Sequence, residues 1–424
     1  MRICSVTQSF YPYIGGVSSY LFHLAKEINK TDHNIQIVSL NFDDSPLNEY
    51  VHDINVIRTN YYHSTSNLVK GYASFKEILL KAFHGVTPHN NIPVKNQPGF
   101  KEYVLLNNNI ADTVYSLYND SSFDIIHVHD FQLLPLGELL QNIPVPIIFT
   151  WHVPFLEITP KHWITFSINY LDKFDHIIVS SPNYMNTLLN NGLSSHKITS
   201  ITPFIPEEKA QPGKFSKKYD LVTSKIIICV ARIDPLKGQD TLIKSIPLVI
   251  KEIPNVKFVL IGNGSLTKEI LNPNYKNMFE KTLKKLVSDL NITDSVIFTG
   301  ALSRDEVVNA FHDCDIVVLP SLAEGFGLSI TEGMSFGKPV IGSNVGGIPL
   351  QIKNGINGYL IKPGNHIQLA HLLIHLLKND CLIDKFGTAS YLNYKNNFNL
   401  EKGLNSILNL YRSTLHNYSD CFSP

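Results

Sequence analysis

The chain has 424 residues, 44% hydrophobic and 17% charged, enough for two or three domains with large buried cores and unlike a disordered chain. Its 36 Lys and Arg balance 36 Asp and Glu, so no basic excess points to nucleic acid, although a local basic cleft can still hold an anion. Five scattered cysteines (Cys4, Cys229, Cys314, Cys381, Cys421) without a CxxC fit the buried thiols of a cytosolic protein better than a disulfide framework or a zinc site. The start, MRICSVTQSFYPYIGG, has no long apolar run, so no signal peptide is expected, and no stretch of about 18 apolar residues offers a membrane span. A cytoplasmic location is expected, with peripheral contact at the inner face of a membrane left open.

Arg2–Thr7 reads as a strand, followed by a glycine turn and a helical face of Leu21, Leu24, Ala25 and Ile28, with Ser18 as expected N-cap. IQIVSL from Ile35, Ile54–Arg58, FDIIHVH (Phe123–His129), VPIIFT (Val145–Thr150) and HIIVSS (His176–Ser181) continue as strands. Such near-continuous Ile/Val runs mark parallel sheets covered on both faces. The stretch from Tyr61 to Asn119 fits this rhythm least. It holds an amphipathic segment, NLVKGYASFKEILLKAF, and then a polar, Pro- and Asn-rich piece. The amphipathic segment is expected to be a surface helix with solvated lysines; an acceptor- or membrane-facing element is the alternative.

Ile201–Asp220, with Pro203, Pro206, Pro212 and Gly213, interrupts the alternation as a linker. A second series follows: KIIICVAR, KFVLIGNG, SVIFTG, DIVVLPS, KPVIGS and NGYLI, with helical patterns between. The expected fold is α/β, with two Rossmann-like doubly wound domains facing a central cleft. The expected divisions are 1–205, 206–399 and 400–424. Ligands of such sheets sit beyond the carboxyl ends of the strands, which makes the cleft the expected site.

Three stretches carry chemistry. YIGGVSS places Gly15 and Gly16 between a strand and a helix, where backbone can approach a ligand and free N–H groups meet an anion; a purely geometric turn is the competing reading. In ARIDPLKGQD, Arg232 and Lys237 stand five residues apart across a Pro-stiffened loop, suited to clamping a diphosphate. In EGFGLSITE, Glu324 and Glu332 flank a glycine-lined helix entrance. Ser329 and Glu332 match a capping box, the structural reading of Glu332; alternatively, carboxylates beside a phosphate site accept hydrogen bonds from sugar or ribose hydroxyls. His127 and His129 share one face of their strand by alternation, with no ion required.

The pieces RIDPLKG, IGNG, LPSLAEGFGLSITEGMSFGKPVIGSNVGG and NGINGYLIKPGN resemble glycosyltransferase family 4 proteins of GT-B fold. GGV, HVHD and FTWH in the first half match more loosely, and the likeness is weakest across Tyr61–Asn119. The resemblance implies a retaining transfer of a hexose-type sugar from a nucleotide-diphosphate sugar to a hydroxyl acceptor, with no bound metal and no cofactor. It implies Arg232 and Lys237 on the diphosphate, Glu324 on the sugar hydroxyls and Glu332 on the ribose. It further implies that Gly15, Gly16, Gly262, Gly325, Phe326, Gly327 and Leu328 line the donor. His152 would lie near the reaction centre, and His129 with Asp130 on the acceptor side. Leu400–His416 would be a helix returning to the first domain. A sugar-nucleotide epimerase, a phosphorylase and a noncatalytic sugar-nucleotide sensor are the competing readings. Donor base, sugar and acceptor (a glycan, a lipid-linked glycan or a small sugar such as one that yields trehalose) are left open, as is the oligomeric state.

Overall fold

In the computed structural model, all residues are described except 12–14, 43, 64, 86–91, 265–277 and 422–424. The chain divides into two compact units, one of Met1–Phe204 with Leu400–Pro424 and one of Ile205–Asn399. Among the described residues, no helix is long and apolar enough to cross a membrane.

The first unit is built on strands β1 (Arg2–Thr7), β2 (Asn34–Asn41), β3 (Asn48–Val51), β4 (Ile54–Tyr61), β5 (Ile125–His129), β6 (Ile147–Trp151), β7 (His176–Val179) and β8 (Ile198–Ser200). They form one sheet in the order β3-β4-β2-β1-β5-β6-β7-β8, parallel except for β3 against β4. The central strands are buried on both faces, as their unbroken Ile/Val content requires. The first helix runs Gly16–Ile28 with Gly15 at its N-cap, not Ser18, whose hydroxyl instead donates to the Ser9 carbonyl at 3.0 Å.

The poorly matched stretch holds two long helices, Asn67–Phe83 and Phe100–Asp120, packed on each other. The apolar face of Asn67–Phe83 is buried: Phe75 and Phe83 meet Tyr103, Trp163, Trp151 and Phe155. Lys70 and Lys81 stay exposed. The first half of the segment is therefore a helix packed through its apolar face, with Lys76 half-buried and acting on Asp130, and Phe100–Asp120 in the second half is a further helix.

The second unit carries β9 (Lys225–Val230), β10 (Val256–Ile261), β11 (Val296–Gly300), β12 (Ile316–Leu319), β13 (Val340–Ser343) and β14 (Gly358–Ile361), all parallel, in the order β11-β10-β9-β12-β13-β14. One face packs Ile227, Leu242, Ile246 and Leu373; the other packs Ile226, Ile228, Phe311, Ile330 and Met334. Strand order reverses between β9 and β12, so the loops leaving those strands flank the switch point where such sheets bind ligands.

The final helix, Leu400–Cys421, belongs to the first unit and packs Ile407, Leu408 and Tyr411 into its core. Its Gly403 faces Phe204 so closely that an added Cβ would lie 1.9 Å from the ring, which is itself buried. Gly403→Val should therefore lower the free energy of unfolding by about 1–3 kcal/mol through overpacking. An unchanged midpoint in thermal melts would show that Phe204 does not seat this helix.

Candidate functional site

In the second unit, four loops at the carboxyl ends of neighbouring strands are tied into one surface. The loop after β9 turns at Gly238, held at φ +66°, where an added Cβ would fall 2.0 Å from the Pro320 carbonyl oxygen. The Leu322 amide donates to the Leu236 carbonyl at 2.7 Å, fastening that loop to the one after β12. After β10, Gly262 at φ +140° lets its backbone pass beside Ala231, where a Cβ would be 2.2 Å from the carbonyl oxygen. The Gly347 amide, after β13, donates to the Gly325 carbonyl at 2.9 Å.

These constraints bring Lys237 Nζ to 2.7 Å from Glu324 Oε2, with side chains only 16% and 10% exposed. Glu324 also accepts from the Ser321 hydroxyl at 3.1 Å and from the Gly325 amide at 3.1 Å. Arg232, on the same loop as Lys237, is exposed. A cation and a carboxylate in contact beside glycine-lined backbone can receive both an anionic and a hydroxyl-rich part of one ligand.

Glu332 does not close a capping box. The helix it sits on runs Leu328–Ser335, with Gly327 in the left-handed region as N-cap and no side-chain cap. Its carboxylate instead pairs with Arg304, whose guanidinium also grips Glu208 of the former linker. Burial raises the Glu332 pKa and the Arg304 charge opposes that rise. Phe326 turns its ring into the core against Phe398 and is 4% exposed, so its backbone is the part a ligand can meet. Gly327 is likewise buried, and its φ of +88° permits the turn into the helix at Leu328. Sequence reasoning missed Arg304 and Glu208. Arg304 opens a helix capped by Ser303 and Glu306, a local signal that says nothing of its distant partners.

In the first unit, Gly15 and Gly16 are exposed at a helix start that lacks both a side-chain cap and an acidic residue in its first turn. The end of β5 and the end of β6 meet through histidines. His129 Nδ1 lies 3.2 Å from His152 Nε2, and the His152 amide donates to Asp130 Oδ1 at 3.2 Å. Asp130 takes φ +77°, an uncommon backbone for a residue with a side chain. His129 is fully buried, Asp130 is 4% exposed, and His152 is half-buried. Behind them His127 is fixed between Tyr411 and Thr150, at 2.7 Å to each hydroxyl. Burial pushes His127 and His152 down to about 3 and holds His129 well below its ordinary value, with neighbouring imidazoles adding to the effect on His127 and His129. Burial raises Asp130 to about 6. No sequence motif marked Tyr411, which lies 284 residues from His127.

Two doubly wound sheets, with charged and glycine-lined loops at the carboxyl ends of one of them, suit a nucleotide-sugar enzyme, and comparison with known proteins defines the class. A model described as "Glycosyl transferases group 1" matches residues 213–414, and one described as "Glycosyltransferase Family 4" matches residues 14–209. The trehalose synthase of Thermococcus litoralis is 30% identical over 339 residues, 78% of this chain and 79% of that protein. The solved sucrose-phosphate synthase of Thermosynechococcus elongatus superposes with a TM-score of 0.78 at 19% identity, over 98% of this chain and 99% of that one. An Anabaena protein solved in complex with UDP-glucose gives 0.73 at 19% identity, over 97% and 100%. The fold is GT-B. The chain belongs to glycosyltransferase family 4 and is a nucleotide-sugar glycosyltransferase.

The histidine cluster predicts acid sensitivity. Unfolded imidazoles titrate near about 6.5, whereas His127, His129 and His152 refuse protons when folded. As pH falls below about 6.5 the unfolded chain binds the extra protons, and stability falls. Asp130, raised to about 6, acts oppositely: below that pH the folded chain holds a proton that the unfolded one releases down to its ordinary value. The histidines outnumber it. The thermal midpoint should therefore drop steadily from pH 7 to pH 4.5, at up to about 1.4 kcal/mol per pH unit for each uncompensated proton. The drop should be shallower in His127→Gln, and a flat profile would place the imidazoles in water.

Proposed function

We propose that this chain transfers a glucosyl-type hexose from a nucleoside diphosphate sugar to a hydroxyl of a small sugar, giving a disaccharide with retention at the anomeric carbon. The observation that carries the reading is the Lys237–Glu324 contact at the switch point of the second sheet. The small-sugar acceptor is supported by the T. litoralis relative, a trehalose synthase matched over most of both chains.

In this reading Lys237 and Arg232 take up the charge that grows on the departing diphosphate, and Glu324 accepts from the sugar hydroxyls. Glu332, held by Arg304, accepts from the ribose hydroxyls. Backbone at Gly262, Gly325, Gly327 and Leu328 leaves room beside the phosphates, and the uncapped helix start at Gly15 and Gly16 offers N–H groups to an anion. The bond from C1 to the phosphate oxygen breaks as the bond from C1 to the acceptor oxygen forms. The acceptor proton passes to the departing phosphate, so no protein base is needed and the side chains position and stabilise. The cationic pair does at the diphosphate what a metal ion does in other transferases, and chelators should leave turnover unchanged. In the first unit, the proposal assigns His152 to a donor-sugar or acceptor oxygen, with Asp130 holding its backbone.

Release of nucleoside diphosphate should depend on added acceptor, and mass spectrometry should find a disaccharide. Acceptor-independent release with an altered nucleotide sugar would instead identify an epimerase. Lys237→Ala should cut turnover by about 10²–10³-fold under conditions where circular dichroism shows it folded. Equal turnover would remove Lys237 from the reaction. Glu332→Gln should weaken nucleotide binding.

A further inference from the structure

We propose that His129 is a positioning residue that locks His152 in its neutral Nδ1–H tautomer, so that His152 meets its ligand as a hydrogen-bond donor and not as a proton acceptor. The two rings face each other through His129 Nδ1 and His152 Nε2, 3.2 Å apart, and one proton lies between these nitrogens. Only two neutral arrangements satisfy the contact, and the far nitrogen of His129 decides between them. His129 Nε2 is buried and, among the described residues, has no hydrogen-bond partner. If His152 donated, His129 would carry its own proton on Nε2, a buried N–H with nothing to receive it. If His129 donates from Nδ1, only a lone pair is left unpaired at Nε2. Buried orphan donors are rarer than under-satisfied acceptors, and the difference favours the second arrangement by on the order of tenfold or more.

The surroundings hold this choice in place. The ring of His127 lies against that of His129 with centroids 3.9 Å apart, and hydroxyls on both nitrogens of His127 keep it from turning. A proton added to either ring would be buried beside another imidazole, which keeps the pair neutral. His152 is steadied by the Asp130 carboxylate on its amide and by the edge-to-face ring of Tyr20 at 5.4 Å. With its Nε2 lone pair taken by His129, the remaining ring nitrogen of His152 is the protonated Nδ1, in a residue that is half-buried and not sealed in the core. Such a group suits an oxygen with free lone pairs, a sugar hydroxyl or a phosphate oxygen, and cannot remove a proton from an acceptor.

The identity of the oxygen rests on the transferase reading above; the tautomer does not. Two-bond proton–nitrogen spectra of the full chain labelled with ¹⁵N-histidine, assigned with His129→Asn and His152→Asn, report it directly. At pH 7, His152 should show a protonated Nδ1 and a bare, hydrogen-bonded Nε2, and a protonated Nε2 would overturn the inference. In His129→Leu the His152 signal should move toward the Nε2–H form, and in His129→Asn, whose amide can donate in place of Nδ1, it should stay. Turnover gives a second reading. The amide nitrogen of Asn falls near the imidazole Nδ1 and that of Gln near Nε2, so His152→Asn should stay within about tenfold of wild type while His152→Gln loses about 100-fold or more. Equal losses in both would contradict the donor role. Failure of the wild type to transfer sugar from any nucleotide sugar would sink the transferase reading and leave the spectra to decide the tautomer.

Discussion

The ion pair between Lys237 and Glu324 is the constraint on which the candidate site depends. A cation and a carboxylate largely withdrawn from water cost desolvation that their mutual attraction only partly offsets, so such a pair is poor at stabilising a fold for its own sake. Removing one member leaves the other buried without its counter-charge, at about 3–5 kcal/mol. What the pair provides is two opposite charges held at one place, and in the proposed reading each exchanges its partner for a group on a ligand. The backbone around it has little freedom. Gly238 passes the Pro320 carbonyl where no side chain fits, and Gly347 docks on Gly325. Lys237 and Glu324 are thus placed by loops from adjacent strands at the one point where the strand order reverses.

A similar economy governs Glu332, Arg304 and Glu208. Glu332 sits where burial alone would favour its protonated form, and Arg304 opposes that while keeping a second carboxylate, Glu208, in its grip. The first unit takes the opposite course. Its clustered His127, His129 and His152 are kept uncharged by burial, and their contacts are set by hydroxyls, by an aspartate and by each other. The second unit thus carries paired charges at its loops, and the first a cluster of uncharged imidazoles.

Much of this was legible in the sequence. Apolar runs announced twelve of the strands, most plainly the central ones, which are covered on both faces and have few polar positions to disguise them. Strands β3 and β8 are short edge strands with mixed composition and gave no such signal. The helix Phe100–Asp120 was hidden by Asn107, Asn108 and Asn109 in its middle, poor helix formers that tertiary packing overrides; Asn107 is buried and bonded to the Gln132 carbonyl at 3.1 Å. Ser18 and the Ser329–Glu332 spacing looked like caps by local rule. In both cases a glycine opened the helix, because the glycine turn had already set where the chain enters it. The glycine turns, the Arg–Lys spacing and the two glutamates were legible as a candidate site, and of these the fold brings Lys237 and Glu324 into contact. Arg304, Glu208, His127 and Tyr411 did not, since each acts on a residue far away in sequence that only the folded chain brings near.

The account is tested most directly by calorimetric titration of nucleoside diphosphate, without sugar, into the wild type, Lys237→Ala and Glu324→Gln. If Lys237 exchanges the Glu324 carboxylate for phosphate, neutralising residue 324 relieves repulsion of the anion. Glu324→Gln should then bind the diphosphate at least as tightly as wild type, while Lys237→Ala loses on the order of tenfold or more. Equal losses in the two variants would mean that the pair serves only to hold the loops together, and the assignment of separate phosphate and sugar roles would fail.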